Sequence, residues 1–235
     1  SVRFELQWPD SALAVPGLFQ QLDVEIVDDE WLPDTVALQV DVEIGGGNDV
    51  LSGVPLGNEW EDSRVQVLYL ASELTGQGLQ PGLVREIGVN VAQANGLGWF
   101  QNVSIRLKNS FLNEVGPGFE NGLTEVYSGA VQLAEGWNMV VLDEPFYWDG
   151  SNLMVEWCAD NPAGIGTADD IFTGSETGFP SVALFAGSGL SGCPLVVPDG
   201  QGSVRPNLRI IGNQEIRVSE QVGEVRSVQL DEGEE

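Results

Sequence analysis

Apolar and polar residues alternate one by one along much of this chain. Val2, Phe4, Leu6 and Trp8 interleave with Arg3, Glu5 and Gln7, and Leu22, Val24 and Ile26 interleave with Asp23 and Glu25. Val36, Leu38, Val40, Val42 and Ile44 then interleave with Ala37, Gln39, Asp41 and Glu43. Successive side chains of a β-strand point to opposite faces, so a period of two predicts strands with one buried and one solvated face. Shorter runs predict further strands at 64–70, 84–91, 100–107, 124–130, 139–142, 153–157, 182–185 and 207–211. Turn formers separate them: Pro81-Gly82, Asn95-Gly96, Gly116-Pro117-Gly118, Asn121-Gly122, Asp149-Gly150, Asn161-Pro162 and Asp199-Gly200. Helical periodicity is confined to 68–79, where about a turn and a half is expected before Gly76 and Gly78 end it.

The richest stretch runs from Trp137 to Cys158. Trp137, Met139 and Val141, and then Leu153, Val155 and Trp157, are expected to be the buried faces of two strands forming a hairpin. Pro145 is expected to stop the first strand, and Asp149-Gly150 to supply the positive φ of a tight reversal buttressed by Phe146, Tyr147 and Trp148. Those aromatics read either as core and turn packing or as a sugar-stacking platform.

The regular spacing of strands and turns predicts an all-β fold: a two-sheet antiparallel sandwich, jelly-roll-like, with extra strands from both terminal flanks. Three segments are expected: an N-terminal β arm at 1–47 ending in the flexible joint Gly45-Gly46-Gly47, the sandwich at 48–213, and a C-terminal strand with an acidic tail at 214–235. The strands of the arm alone cannot close a core, so they must dock on the next sheet or on a neighbouring subunit.

Composition narrows the setting. A chain of 235 residues, 42% hydrophobic, has material for one sizeable core. Acidic residues number 36 against 9 basic ones, a formal net charge of -27, and Lys108 is the single lysine. Such a surface repels phosphate backbones and anionic lipid, which disfavours nucleic-acid binding and membrane docking. Salt or divalent cations relieve the self-repulsion, so a saline, calcium-containing, extracellular environment and a halophilic character are expected. No apolar run approaches membrane-spanning length. Cys158 and Cys193 read as one disulfide or, alternatively, as two buried thiols. The sequence opens at Ser1 without a signal peptide, so the numbering is expected to start after processing or part-way along a precursor.

Five pieces of the chain, EDSRVQVLYLASELTGQGL, REIGVNV, GLTEVYSG, GWNMVVLDEPFYWDGSNLMVEWC and VRPNLRI, occur in an order that carries a resemblance. Over about residues 50–213 the chain resembles a β-sandwich accessory module of large secreted and surface-attached proteins of Bacteroidetes-type bacteria. The resemblance implies an extracellular module attached to other β modules or enzymes and without an established catalytic role. It also matches Cys158 and Cys193 to cysteines of the family pattern. Residues 1–47 and those after Asn213 fall outside it.

The candidate chemistry is sparse. Without histidine the chain cannot build a Ser-His-Asp or Cys-His nucleophile, nor a histidine-based zinc site. Glu156 is the acid worth following, and it reads as an outward-facing strand residue rather than half of a glycosidase pair. Arg64 and Arg205 are expected in structural salt bridges with acids such as Asp62. Calcium, the one cofactor considered, needs several converging oxygens; the candidates are Asp149, Asn152, Asp160, Asp169 and Asp170, with Asp143-Glu144 and Asn161 as further loop acids and amides. Asn102-Val103-Ser104 matches an N-glycosylation acceptor.

Two functional readings follow. The first is a non-catalytic extracellular structural or adhesive protein, a subunit or module of a surface assembly or filament. It would pair with copies of itself or other surface proteins through residues 1–10 or 214–230. The alternative is a carbohydrate-binding module using exposed aromatics, with Trp60, Trp99, Phe100, Tyr147 and Trp148 as candidates and their burial as the discriminating observation.

Overall fold

The computed structural model describes residues 35–57, 59–96, 98–161, 168–187, 193–194 and 197–217. The alternating runs at 2–8 and 22–26 and the tail from 218 onward lie outside the described residues. The chain clusters into two units, residues 39–214 and the terminal segments 1–38 with 215–235. The larger unit is a sandwich.

In chain order the elements are β1 (Thr35–Ile44), β2 (Asp49–Ser52), β3 (Asp62–Tyr69), α1 (Ala71–Gly76), β4 (Gly82–Gln93), β5 (Trp99–Ser110) and β6 (Thr124–Gln132). There follow β7 (Gly136–Trp148), β8 (Asn152–Asp160), β9 (Ile171–Glu176), β10 (Val182–Gly187), β11 (Gly200–Gly202), β12 (Val204–Pro206) and β13 (Leu208–Arg217). Both β13 and β7 pair with β4 over the same residues, so they flank it and sheet I reads β1-β13-β4-β7. Beyond the start of β13, Val91 and Gln93 of β4 pair with β9, which carries β2 and β12. Sheet II reads β11-β10-β3-β8-β5-β6. The chain switches sheets at most connections, and the two four-strand sets β1-β13-β4-β7 and β3-β8-β5-β6 have the strand order of a jelly roll.

The core lies between the sheets. Val65, Val67 and Tyr69 of β3, Ile105 and Leu107 of β5, and Val155 and Trp157 of β8 face Val42 and Ile44 of β1, Ile87 and Val89 of β4, and Leu208 and Ile210 of β13. A smaller apolar layer covers the other side of sheet II, where Val115 and Phe119 pack with Leu68, Met154 and Ala183. Among the described residues no helix is long and apolar enough to cross a membrane. A disulfide joins Cys158 of β8 to Cys193 with a Cα–Cα distance of 5.5 Å, and there is no free cysteine.

Three expectations for the Trp137–Cys158 stretch are corrected. First, β7 and β8 are not a hairpin: β7 pairs with β4 in sheet I, whereas β8 pairs with β3 and β5 in sheet II. The Asp149-Gly150 turn therefore carries the chain across the sandwich, with Gly150 at φ 94°. Asp149 Oδ1 accepts from the Ser151 N–H at 2.9 Å and the Trp148 indole donates to the Ser151 carbonyl at 2.7 Å.

Second, Pro145 does not end the strand. Among the described residues β7 pairs only with β4, and there the proline's missing N–H removes no ladder bond on an outer edge. Residues 142–145 bulge between the pairs Glu86–Val141 and Val84–Phe146. Third, β7 buries Val140 and Leu142, whereas Val141 is 66% exposed. Both faces of WNMVVL are apolar, so periodicity alone does not select the inner one. Gly88 of β4 selects it by making room on the outer face, where an added Cβ would collide with Met139 Sδ.

Strands β2, β9, β11 and β12 escape the sequence reading because they are short or carry glycine. In β9, Gly174 sits where a Cβ would lie 2.7 Å from the Arg205 carbonyl oxygen and 2.8 Å from Leu51 Cδ1, so the residue that weakens the strand pattern is the one that lets three strands meet.

The face assignment of β7 has a direct check. Leu142→Ala should lower the unfolding free energy by about 2–5 kcal/mol, whereas Val141→Ala should stay within about 0.5 kcal/mol of the parent. Urea denaturation of the two variants measures both, and the reverse ranking would mean that β7 is turned over.

Candidate functional site

Two polar assemblies stand out, and both follow from strand register. The first crosses the outer face of sheet II. Gln66 of β3 lies opposite Glu156 of β8, which lies opposite Arg106 of β5, which lies opposite Glu125 of β6. Alternation turns these residues away from the core, but Glu156 does not reach water: it is 0% exposed. Its Oε2 accepts from Arg64 Nε at 2.8 Å, Arg64 Nη2 at 2.7 Å and Gln66 Nε2 at 2.7 Å. Its Oε1 accepts from Arg106 Nη1 at 3.1 Å. The outward-facing reading of Glu156 is thus right about the face and wrong about solvent, because a second layer roofs it.

That roof is residues 111–123. The Glu120 N–H donates to Gln66 Oε1 at 2.7 Å, Gln66 Nε2 donates back to the Glu120 carbonyl at 2.8 Å, and Lys108 Nζ lies 2.8 Å from the Glu120 carboxylate. The Phe119 ring covers the Arg64 guanidinium at 4.4 Å. A cleft of about 230 Å³ remains between this roof and Cys193-Pro194. Both oxygens of Glu156 are thus held by cationic and amide donors, which tie β3, β8 and β5 together through their side chains.

A related station secures the other arginine singled out in the sequence. Arg205 Nη1 donates to the Leu68 carbonyl at 2.6 Å, Nη2 pairs with Glu73, and the guanidinium lies 4.5 Å from the Tyr69 ring. Tyr69 donates to the Pro206 carbonyl at 2.8 Å. Both arginines sit in salt bridges, Arg64 with Glu156 and Arg205 with Glu73.

The second assembly is the end of the sandwich where residues 53–57 and 59–61, 94–96 and 98–101, and 160–161 and 168–170 approach one another. Asn161 links two of these segments: its N–H donates to the Glu61 carbonyl at 3.0 Å and its Oδ1 accepts from the Gln101 N–H at 3.0 Å. Asn102 Nδ2 donates to the Asp160 carbonyl at 2.8 Å, so the amide of the sequon is already engaged. Asp169 Oδ1 accepts from the Glu59 N–H at 2.8 Å. Asp170 Oδ1 accepts from both the Asn95 and Gly96 N–H groups at 2.8 Å, and its carbonyl accepts from Gly53 at 3.0 Å.

Trp60 and Trp99 ride on these tied segments, 48% and 44% exposed. Gly98, at φ 59° and with an added Cβ only 2.6 Å from the Leu133 oxygen, lets the chain turn so that Phe100 enters the core while Trp99 stays outside.

The sequence-predicted aromatics therefore separate. Trp148 is 0% exposed and fills the core, so it offers no stacking surface, and Phe100 is likewise buried. Tyr147, 55% exposed, sits at the far end of β5 from Trp99, where Asn109 Nδ2 donates to its carbonyl.

The calcium candidates separate as well. Asp149 caps its own turn, and Asn152 bonds the Ala71 N–H and the Leu112 carbonyl near the Tyr147 end. Asp160, Asp169 and Asp170 stay at the Trp60 end, where Asp170 Oδ2 is buried with no hydrogen-bond partner among the described residues. Among the described residues no group of three or more acidic, cysteine or histidine side chains is arranged to hold a metal ion. The five candidates do not form one site.

Gln66, Arg106, Glu120 and Gln101 organise these assemblies and were not singled out by sequence, whereas Asn161 was named only as a loop amide. The available signal was parity: Arg64 and Gln66, like Arg106 and Lys108, occupy the polar positions of otherwise apolar runs. Searches of protein-family models, curated proteins and solved structures find no match to this chain.

Two outcomes are expected from these contacts. Glu156→Ala leaves Arg64 buried without its carboxylate and should cost about 3–5 kcal/mol in urea denaturation; a loss near zero would show that water reaches the cluster. Burial, the largest cause, pushes the Tyr69 phenol well above its ordinary value of 10.0; Arg205 opposes the rise and Glu73 adds to it. The folded state keeps this proton where the unfolded chain has lost it, so the associated stability is complete below about pH 10 and declines as pH rises further. Tyr69→Phe should flatten that alkaline decline in stability measured between pH 8 and 11, a range of about one unit or more on either side of the free phenol.

Proposed function

We propose that this chain is a non-catalytic extracellular protein of structural or adhesive kind, a subunit or module of a surface assembly. The observation that carries the reading is the contrast between the two ends of sheet I. At one end, β7 is bulged at residues 142–145, with Asp143, Glu144 and Pro145 exposed. Charge, proline and a bulge together block the addition of another strand. At the other end β1 is the last described strand, beside β13, and these two strands lead into the terminal segments. Extension of the sheet by a neighbouring chain is therefore directed to the β1 side.

Three further features support the reading. The disulfide is compatible with an extracellular location. The sequence resemblance is to modules of secreted and surface-attached bacterial proteins. Arg64, Arg106, Lys108 and Arg205 are held in internal ion pairs, so the surface they leave is strongly acidic. Screening by salt, or neutralisation by calcium, would then govern how closely copies approach.

Light scattering on the native protein in high salt with calcium, and again with a chelator, tests the proposal. A mass of many copies is expected, falling to a monomer when residues 1–34 are removed, which leaves β1 in place. A monomer under every condition would sink the assembly.

A further inference from the structure

The geometry points to a neutral, extended polysaccharide as the ligand of the sandwich end that carries Trp60 and Trp99. This goes beyond the assembly role, since a monomer would carry the site equally well.

An indole presents a large apolar surface, and two of them half-exposed within one loop cluster form a costly patch unless something covers it. Their carriers are not loose. Glu61, Asn161 and Gln101 form a continuous hydrogen-bonded row across the sheet end, and Asp169 and Asp170 pin residues 53, 59, 95 and 96. The rings are thus offered on a preorganised support, which lowers the entropic cost of binding.

The register places their carriers. Asp62 pairs with Asp160, and Ala159 pairs with Val103, so β8 lies between the strands that lead to the two tryptophans. Two ladder spacings separate those strands by about 10 Å. An extended sugar chain of several pyranose rings is long enough to cross both carriers, and its apolar C–H faces stack on indoles.

The surroundings choose the class of chain. Glu59, Glu61, Asp160 and Asp169 lie within the cluster, on a molecule of net charge -27. Sulfated, phosphorylated or uronate-rich polymers would meet a field of their own sign. Exposed Gln101 and Glu59 supply amide and carboxylate groups to neutral hydroxyls.

The test is affinity electrophoresis of the full chain through gels containing a soluble neutral β-glucan, polygalacturonate, or no polymer, with tryptophan fluorescence titrations alongside. Retardation by the β-glucan alone is expected. Trp60→Ala and Trp99→Ala should each weaken it roughly tenfold, whereas Tyr147→Ala, at the opposite end of β5, should leave it unchanged. Retardation only by polygalacturonate overturns the neutral class. A fluorescence response to tetramethylammonium without glycan binding would make the site a cation cage and overturn the sugar. Binding that survives both tryptophan substitutions overturns the site, as does a change in light-scattering mass as their sole effect, which would mark a contact between copies. A chain that assembles but binds no glycan overturns this inference and leaves the assembly proposal standing.

Discussion

A carboxylate with no access to water sits at the middle of sheet II, and much of the surrounding architecture follows from having to supply it with hydrogen-bond donors and positive charge. Removing a charge from water costs several kcal/mol unless its oxygens are fully hydrogen-bonded and its charge is met. Glu156 meets that condition only because Arg64, Gln66 and Arg106 come from two different strands at the matching register. Each partner then needs cover of its own. Phe119 covers Arg64, the Glu120 backbone pairs with the Gln66 amide, and the disulfide to Cys193 lies beside the same cluster. The loop at 111–123 is thereby a second structural layer, and the jelly roll has its main apolar core on one side of sheet II and, on the other, the Glu156 cluster beside a smaller apolar layer.

The same economy explains where the few cations go. With 9 basic residues against 36 acidic ones, acidic partners are abundant, and Arg64 and Arg205 are buried with theirs. Arg209 is paired nearer the surface on sheet I, joining Asp41 and Glu43 of β1 to β13 and lying 6.0 Å from the Trp137 ring. An arginine can do this where lysine cannot, because its planar fork binds a carboxylate at two points and still lies flat on an aromatic ring. What these pairs specify is register: a slip of one residue would turn Arg64, Gln66, Arg106 and Glu156 into the hydrophobic core.

The functional proposals rest on two different regions of this frame. Sheet extension concerns the β1 side, where backbone groups matter more than side chains. Ligand recognition concerns the loop end, where Asn161, Asp169 and Asp170 make a rigid support out of three separate segments. Two of the acids considered as metal ligands there, Asp169 and Asp170, accept from the backbone N–H groups of Glu59, Asn95 and Gly96.

By itself the sequence determined the longer strand-forming segments among the described residues, most of the turns, the short helix and the two-sheet class, because alternation, glycine and proline act over a few residues. Parity even placed Glu156 on the outer face. Tertiary structure decided the rest. Both faces of β7 are apolar, so its inner one was chosen by packing against Gly88 of a strand about 50 residues away. The turn at Asp149-Gly150 has the same local chemistry whether it closes a hairpin or crosses between sheets, and only the partners of β7 and β8 distinguish the two. Trp99 and Trp148 carry the same side chain, and one lies outside while the other fills the core. Burial depends on what the rest of the chain brings alongside, which a local pattern of residues does not contain.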